Sequence, residues 1–232
     1  MKKLVIIPTY NEIENIAHIV PAVFNLLPEV HILVVDDSSP DGTAGKVEEL
    51  QKTYPNTHLL VRKEKQGLGK AYLAGFDWGL EQGYDILCEM DADFSHRPQD
   101  LVTVLKEAEV SDVTIGSRYV PGGGTVNWGI LRKIISKGGS LYSRIILGYP
   151  VNDWTGGFNA WKSEVLKGIH LDQVKSNGYC FQIELKYRAL LKKYSTKEVP
   201  ILFEDRRVGQ SKMSLKIVLE AFYKVWLLRF TI

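Results

Sequence analysis

Cysteine is almost absent: Cys88 and Cys180 are the only two in 232 residues, and neither belongs to a CxxC or CxxxH spacing. That scarcity rules out a disulfide scaffold and argues against a zinc site, leaving two reduced core thiols suited to a reducing compartment. Net charge is scarce too. With 29 basic and 27 acidic side chains the formal balance is +2, so no global field draws the chain onto nucleic acid. Nowhere do 18 apolar residues run together, so no segment of the sequence as given reads as a membrane-spanning helix. The apolar run at residues 4–7, behind two lysines, is too short for the core of a signal peptide, and the polar PTYNE after it offers no cleavage site. GxGxxG, GxSxG and HExxH are missing, and Gly67-Leu-Gly-Lys70 lacks the Walker spacing, which removes dehydrogenase, esterase, zinc-protease and P-loop readings. The five histidines are scattered and form no metal-ligand spacing.

What is present describes a folding chain. At 45% hydrophobic and 24% charged residues, the composition is that of a globular protein, large for one domain and small for two. Residues 4–7 and 32–35 are continuous apolar runs, the mark of strands buried on both faces, and residues 15–27 between them carry a helical apolar stripe. The unit is βαβ. The alternation continues through a helix at 44–52, a strand at 58–61, a helix at 70–81, a strand at 86–90, a helix at 98–107 and a strand at 113–115. The expected fold class is α/β, with a doubly wound and mostly parallel sheet. After Arg118 come a Gly-rich loop at 121–124, a basic amphipathic helix at 130–147, the DWTGGF segment at 153–158 and a strand-like 197–203. A polar loop at 204–212 and a final amphipathic helix at 214–230 complete the chain.

Polar clusters sit where strands end, the edge at which open α/β sheets bind ligands. In Met90-Asp91-Ala92-Asp93-Phe94-Ser95-His96, strand alternation puts Asp91 and Asp93 on one side, able to share a hard divalent cation with diphosphate oxygens. The same residues also fit a solvated acidic turn. In Val35-Asp36-Asp37-Ser38, alternation separates the carboxylates, so Asp37 faces the crevice for a base or ribose while Asp36 braces the loop; Asx-turn and capping duty is the plain alternative. In Pro8-Thr9-Tyr10-Asn11-Glu12, Tyr10 can stack on a base and Glu12 can bond its edge, although such a segment is equally a helix-entry loop.

Taken in order, PTYNE, VVDDSSPDGT, KQGLGKA, MDADFSH, GSRYV, DWTGGF and FEDRRVGQSK resemble the family 2 glycosyltransferases, and among them the polyprenol (dolichol) phosphate mannosyltransferases. The resemblance runs from residue 4 to about residue 215 and implies a GT-A type nucleotide-sugar fold. It implies a catalytic domain at 1–212, with a nucleotide-sugar-binding half at 1–118 and an acceptor half at 119–212, followed by a C-terminal amphipathic helix at 213–232. The nucleotide pocket it implies comprises Pro8, Tyr10, Glu12, Val35 and Asp37, with Asp91 and Ala92 beside the ribose and sugar. Asp93 would be the principal metal ligand, helped by Asp91 and, more weakly, by Ser95, and His96 would brace the loop. Arg206 and Lys212 are assigned to donor phosphates, with Gly209 allowing close backbone approach. Arg118 and Arg132 are further phosphate candidates, on the acceptor side, while Arg207 and Lys133 fit a solvated surface equally well. Asp153 and Glu184 would position the sugar or one of the arginines.

The activity so implied is metal-dependent, inverting transfer of mannose from GDP-mannose to a polyprenyl phosphate, with Mg2+ or Mn2+ as cofactor. A UDP-glucose-using relative and a non-catalytic nucleotide-sugar-binding module are the alternatives. Asp91, Asp93, Arg118, Arg206 and Lys212 would carry the chemistry. The helix at 130–147 sets Arg132, Lys133, Lys137 and Arg144 beside isoleucines and leucines, a pattern for an anionic membrane surface or for a core helix with one wet face. The final helix carries Lys216, Glu220 and Lys224 on a narrow stripe and fits either a groove or the lipid interface. The expected location is cytoplasmic, peripheral at the cytoplasmic face of a membrane, with room for a membrane-protein partner and none for nucleic acid.

Overall fold

A computed structural model of the chain describes residues 1–176, 178–205 and 215–232. The first half alternates as β1 (Lys3–Thr9), α1 (Ile13–Leu26), β2 (His31–Asp36), α2 (Thr43–Gln51), β3 (Thr57–Val61), α3 (Leu68–Glu81), β4 (Ile86–Glu89), α4 (Pro98–Glu107) and β5 (Val113–Ser117). The second half adds β6 (Gly124–Val126), α5 (Ile130–Leu147), β7 (Asn159–Lys162), α6 (Ser163–Gly168), α7 (Tyr179–Leu191), β8 (Thr196–Pro200), β9 (Leu202–Glu204) and α8 (Leu215–Thr231).

Seven strands form the main sheet in the order β3-β2-β1-β4-β7-β5-β8, and β6 and β9 pair separately in parallel. The continuous apolar runs dictate the centre of this sheet. Every side chain from Leu4 to Ile7 and from Ile32 to Val35 is sealed from solvent, as expected for parallel strands with helices on both faces. Helix α3 approaches closely because it carries glycine at its contact points. A Cβ on Gly75 would lie 2.6 Å from Ile6 Cγ2, and one on Gly79 would lie 2.8 Å from Leu4 Cδ2.

Two features depart from a simple doubly wound reading. Strand β7 enters between β4 and β5 and runs antiparallel to both, with Trp161 opposite Leu87 and Val113. Four residues, Asn-Ala-Trp-Lys, hold too short an apolar signal to stand out as a strand. The expected strand at 197–203 is in fact two, since β8 ends on the main sheet at Pro200 and Ile201 turns the chain into β9 beside β6. Both cysteines are buried, as expected.

The C-terminal helix α8 is present. Val225 and Leu228 face the core and the Tyr142 ring packs at a tilt on Phe222, centroids 4.2 Å apart, while Tyr223, Trp226, Leu227 and Phe230 are exposed. The side chains of Lys216 and Glu220 lie outside the described residues.

Candidate active site

At the carboxyl edge of β1 and β2, Asp36 is a structural centre. Its carboxylate accepts from Thr9 Oγ1 at 2.9 Å, Ser39 N at 2.9 Å and Ser39 Oγ at 2.6 Å, tying the two strand ends together. Asp37 is also buried but points elsewhere, to an ion pair with Arg62 Nη1 at 2.9 Å. Burial pushes the Asp37 carboxyl above its ordinary range, with the Arg62 charge pulling it back down. Arg62 is a site residue that the motifs did not reveal. It follows β3 by one residue, so the neighbouring strand end delivers it. Lys65 stands over the Tyr10 ring at 3.5 Å, and Asn15 donates to Glu12 Oε2 at 2.7 Å. Pro8 and Val35 are register partners on β1 and β2, which places five of the expected nucleotide-pocket residues along one edge.

The acidic turn does not follow the strand alternation expected of it. Strand β4 stops at Glu89, and Phe94 adopts a left-handed φ of 63°, so the turn itself sets the directions of Asp91 and Asp93. Asp91 accepts from the Tyr72 phenol at 3.1 Å, and its own N–H donates to His96 Nδ1 at 3.0 Å. Burial keeps the His96 imidazole below its ordinary range despite the nearby Asp91 and Asp93 charges, so it is neutral and suited to accept that N–H. Its ring stacks on Phe158 at 4.5 Å, consistent with bracing. Asp93 is buried and accepts from Ser95 N at 3.0 Å. The Ser95 hydroxyl is sealed from solvent with no hydrogen-bond partner among the described residues.

Beyond the turn, Arg118 and Asp153 form a bidentate pair inside the protein. Arg118 Nε and Nη2 each lie 2.7 Å from an Asp153 oxygen, and Thr155 Oγ1 accepts from Nη2 at 2.9 Å. Burial opposes ionisation of Asp153, but the guanidinium beside it wins and holds the carboxyl below its usual range. Lys186, itself buried, donates to the carbonyls of Asp153 at 2.9 Å, Trp154 at 3.3 Å and Gly156 at 2.8 Å, and so fixes the loop that carries the pair. Beneath it, Glu89 accepts from Gln182 at 2.7 Å and from Asn159 and Trp161 at 3.0 Å each. None of Lys186, Glu89, Asn159 and Gln182 was singled out in the sequence. The available signal was the i, i+4 spacing that puts Gln182 and Lys186 on one face of helix α7.

These buried charges set a pH dependence. Burial pushes Glu89 up to about 7 from an ordinary 4.5, and pushes Lys186 down to about 8 from 10.5. Between pH 4.5 and about 7 the folded state holds a Glu89 proton that the unfolded state has released, so this group's contribution to stability falls as pH rises. Between about 8 and 10.5 the unfolded state holds the Lys186 proton, and that contribution rises with pH. Urea midpoints of the wild type and Glu89→Gln at pH 5 and pH 7 should show a shallower decline, or a steeper rise, in the variant; parallel profiles would remove Glu89 as the cause.

Arg132, at the start of α5, lies over the Trp128 ring at 4.0 Å and pairs with Asp205 at 2.6 Å. The Arg118 guanidinium is 5.5 Å from that same ring, so the fold brings the two arginines to one indole. Arg132 Nε and Trp128 Nε1 are both buried donors without a partner among the described residues. Glu184 accepts from Ser176 N and pairs with Arg188, each at 2.9 Å. Arg206, Arg207, Gly209 and Lys212 lie outside the described residues.

A mostly parallel sheet with one antiparallel strand, gathering carboxylates and arginines at its carboxyl edge, defines the GT-A class. Glucosyl-3-phosphoglycerate synthase from Mycobacterium tuberculosis, solved in complex with Mn2+, UDP and phosphoglyceric acid, superposes with a TM-score of 0.66 at 16% identity, over 99% of this chain and 78% of that one. The chain belongs to Glycosyl transferase family 2, whose profile matches residues 4–169. It is 51% identical to the polyprenol monophosphomannose synthase of Mycolicibacterium smegmatis, over 97% of this chain and 85% of that protein. It is 48% identical to the undecaprenyl-phosphate mannosyltransferase of Micrococcus luteus, over 97% of this chain and 93% of that protein. The dolichol-phosphate mannosyltransferase of Pyrococcus furiosus is 39% identical over 95% of this chain and 61% of that protein.

Proposed function

We infer that this glycosyltransferase moves mannose from GDP-mannose to the phosphate of a membrane polyprenol. The observation that carries the reading is the 51% identity, sustained over 97% of the chain, to a polyprenol monophosphomannose synthase. In the transfer, an acceptor phosphate oxygen bonds to the anomeric carbon while the bond from that carbon to the diphosphate breaks. The electron pair leaves on GDP and the configuration inverts. The acceptor is already ionised near neutral pH, so the chain need not supply a general base.

On this reading Pro8, Tyr10, Glu12, Val35 and Asp37 receive the nucleotide, and Asp91 and Ala92 flank the ribose and sugar. Arg206 and Lys212 hold the donor phosphates. Arg118, oriented by Asp153, and Arg132 receive the acceptor phosphate, a role supported by the Arg132 Nε and Trp128 Nε1 donors beside them, which have no partner among the described residues. Asp93 would hold Mg2+ or Mn2+, with Asp91 and Ser95 nearby. The buried Ser95 hydroxyl, without a partner among the described residues, fits such a cation. Among the described residues no three His, Cys, Asp or Glu side chains gather to hold an ion, as suits a site whose remaining ligands are diphosphate oxygens. When bound, the cation offsets charge on the departing diphosphate.

A membrane surface is the matching location. Among the described residues no helix is long and apolar enough to cross a membrane. Helix α5 nevertheless exposes Ile130, Leu131, Ile134, Leu141 and Ile145 beside the exposed Lys133, Lys137 and Arg144, with no acidic residue in the helix. That combination suits an anionic cytoplasmic leaflet. The test is transfer of label from GDP-mannose into organic-extractable lipid, with polyprenyl phosphate, magnesium or manganese, with and without EDTA, and with UDP-glucose in parallel. Label from GDP-mannose that EDTA abolishes is the expected result. Label from UDP-glucose alone would overturn the sugar, and nucleotide binding without any transfer would favour a binding module.

A further inference from the structure

The loop at 153–156, which orients Arg118, is held by two kinds of partner. Its backbone N–H groups meet side chains: Asp153 N donates to Glu198 Oε1 at 2.9 Å, Trp154 N to Ser140 Oγ at 3.2 Å and Gly156 N to Asp153 Oδ1 at 2.9 Å. The carbonyls of Asp153, Trp154 and Gly156 instead converge on one ammonium, Lys186 Nζ, at 2.9, 3.3 and 2.8 Å. An ammonium has three protons and no acceptor, so this lysine, 1% exposed on α7, commits its whole donor capacity to the loop. Its charge is balanced at one remove, because Asn159 Nδ2 bridges the Gly156 carbonyl, at 3.2 Å, to Glu89 Oε2, at 3.0 Å. Burying a charge is costly, and a methionine would fill the same volume without that cost, so stability alone gives a poor reason for a lysine here.

Resting on the reading of Arg118 as an acceptor-phosphate contact, we propose that Lys186 is a positioning residue for transfer, acting through the loop at 153–156 and Asp153 to set where the Arg118 guanidinium stands. The geometry couples each link to the next. A Cβ on Gly156 would lie 3.1 Å from Asp153 Oδ1, so the carboxylate rests directly on the backbone that Lys186 grips. That carboxylate holds Arg118 Nε and Nη2 at 2.7 Å each. The rings of Tyr119, Trp128 and Phe203 stand 5.2, 5.5 and 5.5 Å from the same guanidinium, so it follows the loop rather than turning on its own. Misplacing a substrate-orienting group by about 1 Å can cost on the order of a hundredfold in rate. Slackening this loop should therefore be felt by the acceptor phosphate and hardly by the nucleotide, whose expected residues Pro8 and Val35 lie on β1 and β2.

Mannosyl transfer measured separately against polyprenyl phosphate and against GDP-mannose provides the test, with wild-type transfer in the same assay checking the donor and acceptor assignments themselves. Lys186→Met, which keeps the apolar stem and removes the ammonium, should raise the KM for polyprenyl phosphate by about tenfold or more and leave the KM for GDP-mannose within about twofold. A merely destabilised enzyme loses active fraction, which lowers kcat and moves neither KM. An unchanged acceptor KM, or both KM values raised alike, would overturn the role of Lys186. Arg118→Lys is the companion variant. If it raises the acceptor KM and Lys186→Met does not, Lys186 alone loses its role; if Arg118→Lys leaves the acceptor KM unmoved, the reading of Arg118 fails and the role of Lys186 fails with it. Should Lys186→Met not fold, the double variant Lys186→Met/Glu89→Gln, which removes both buried charges together, decides by the same two KM values.

Discussion

Asp93→Ala should reduce mannosyl transfer by roughly a thousandfold or more while the protein still folds. A bound cation supplies several kcal/mol of stabilisation to the departing diphosphate, and each 1.36 kcal/mol is tenfold in rate. Within the folded protein Asp93 accepts from the Ser95 N–H at 3.0 Å, a neutral donor, and losing that bond costs about 1 kcal/mol. Rates measured across magnesium and manganese concentrations, beside a thermal melt, separate the two effects. Near-wild-type turnover in this variant, unchanged by EDTA, would remove Asp93 from the chemistry.

Asp153→Ala should be the most destabilising single change in the site, by about 3–5 kcal/mol, because it strands the buried Arg118 without its counter-charge. The same carboxylate also accepts from the backbone N–H of Arg118 at 3.0 Å and of Gly156 at 2.9 Å, so the loop loses its internal ties as well. Urea unfolding is the measurement. The exposed Lys46–Glu49 pair serves as the control, and Glu49→Ala should leave the midpoint unmoved within error. If Asp153→Ala unfolded at the wild-type midpoint, the pair would not contribute to stability, and its role would have to be sought in orienting Arg118 alone.

Parts of this molecule could be read from short windows of sequence. The runs at Leu4–Ile7 and Ile32–Val35 announce buried parallel strands because burial on both faces allows no polar residue, and the structure seals all eight side chains. Helices α1 to α5 and the position of polar residues at strand ends follow from the same local periodicity. Asp36 as a brace was legible too, because a carboxylate directly after a strand and ahead of a serine reaches the next backbone N–H, as Ser39 shows.

Other features depend on partners far apart in the chain, and no periodicity announces them. Strand β7 is four residues long and gains its place only by pairing with β4 and β5 on either side. Arg118 meets Asp153 across 35 positions, Lys186 meets the same loop across 33, and Glu89 meets Asn159 across 70. The sequence by itself determined the class of fold, the strand-end clusters and the motif order that places the chain among family 2 glycosyltransferases. The tertiary structure alone decided which charges are paired, that Arg118 and Arg132 share one indole, and that two histidines 27 residues apart stand 3.0 Å from each other. The physical reason is that periodicity reports only which face of an element is buried, whereas the partner of a buried charge is set by how the elements cross.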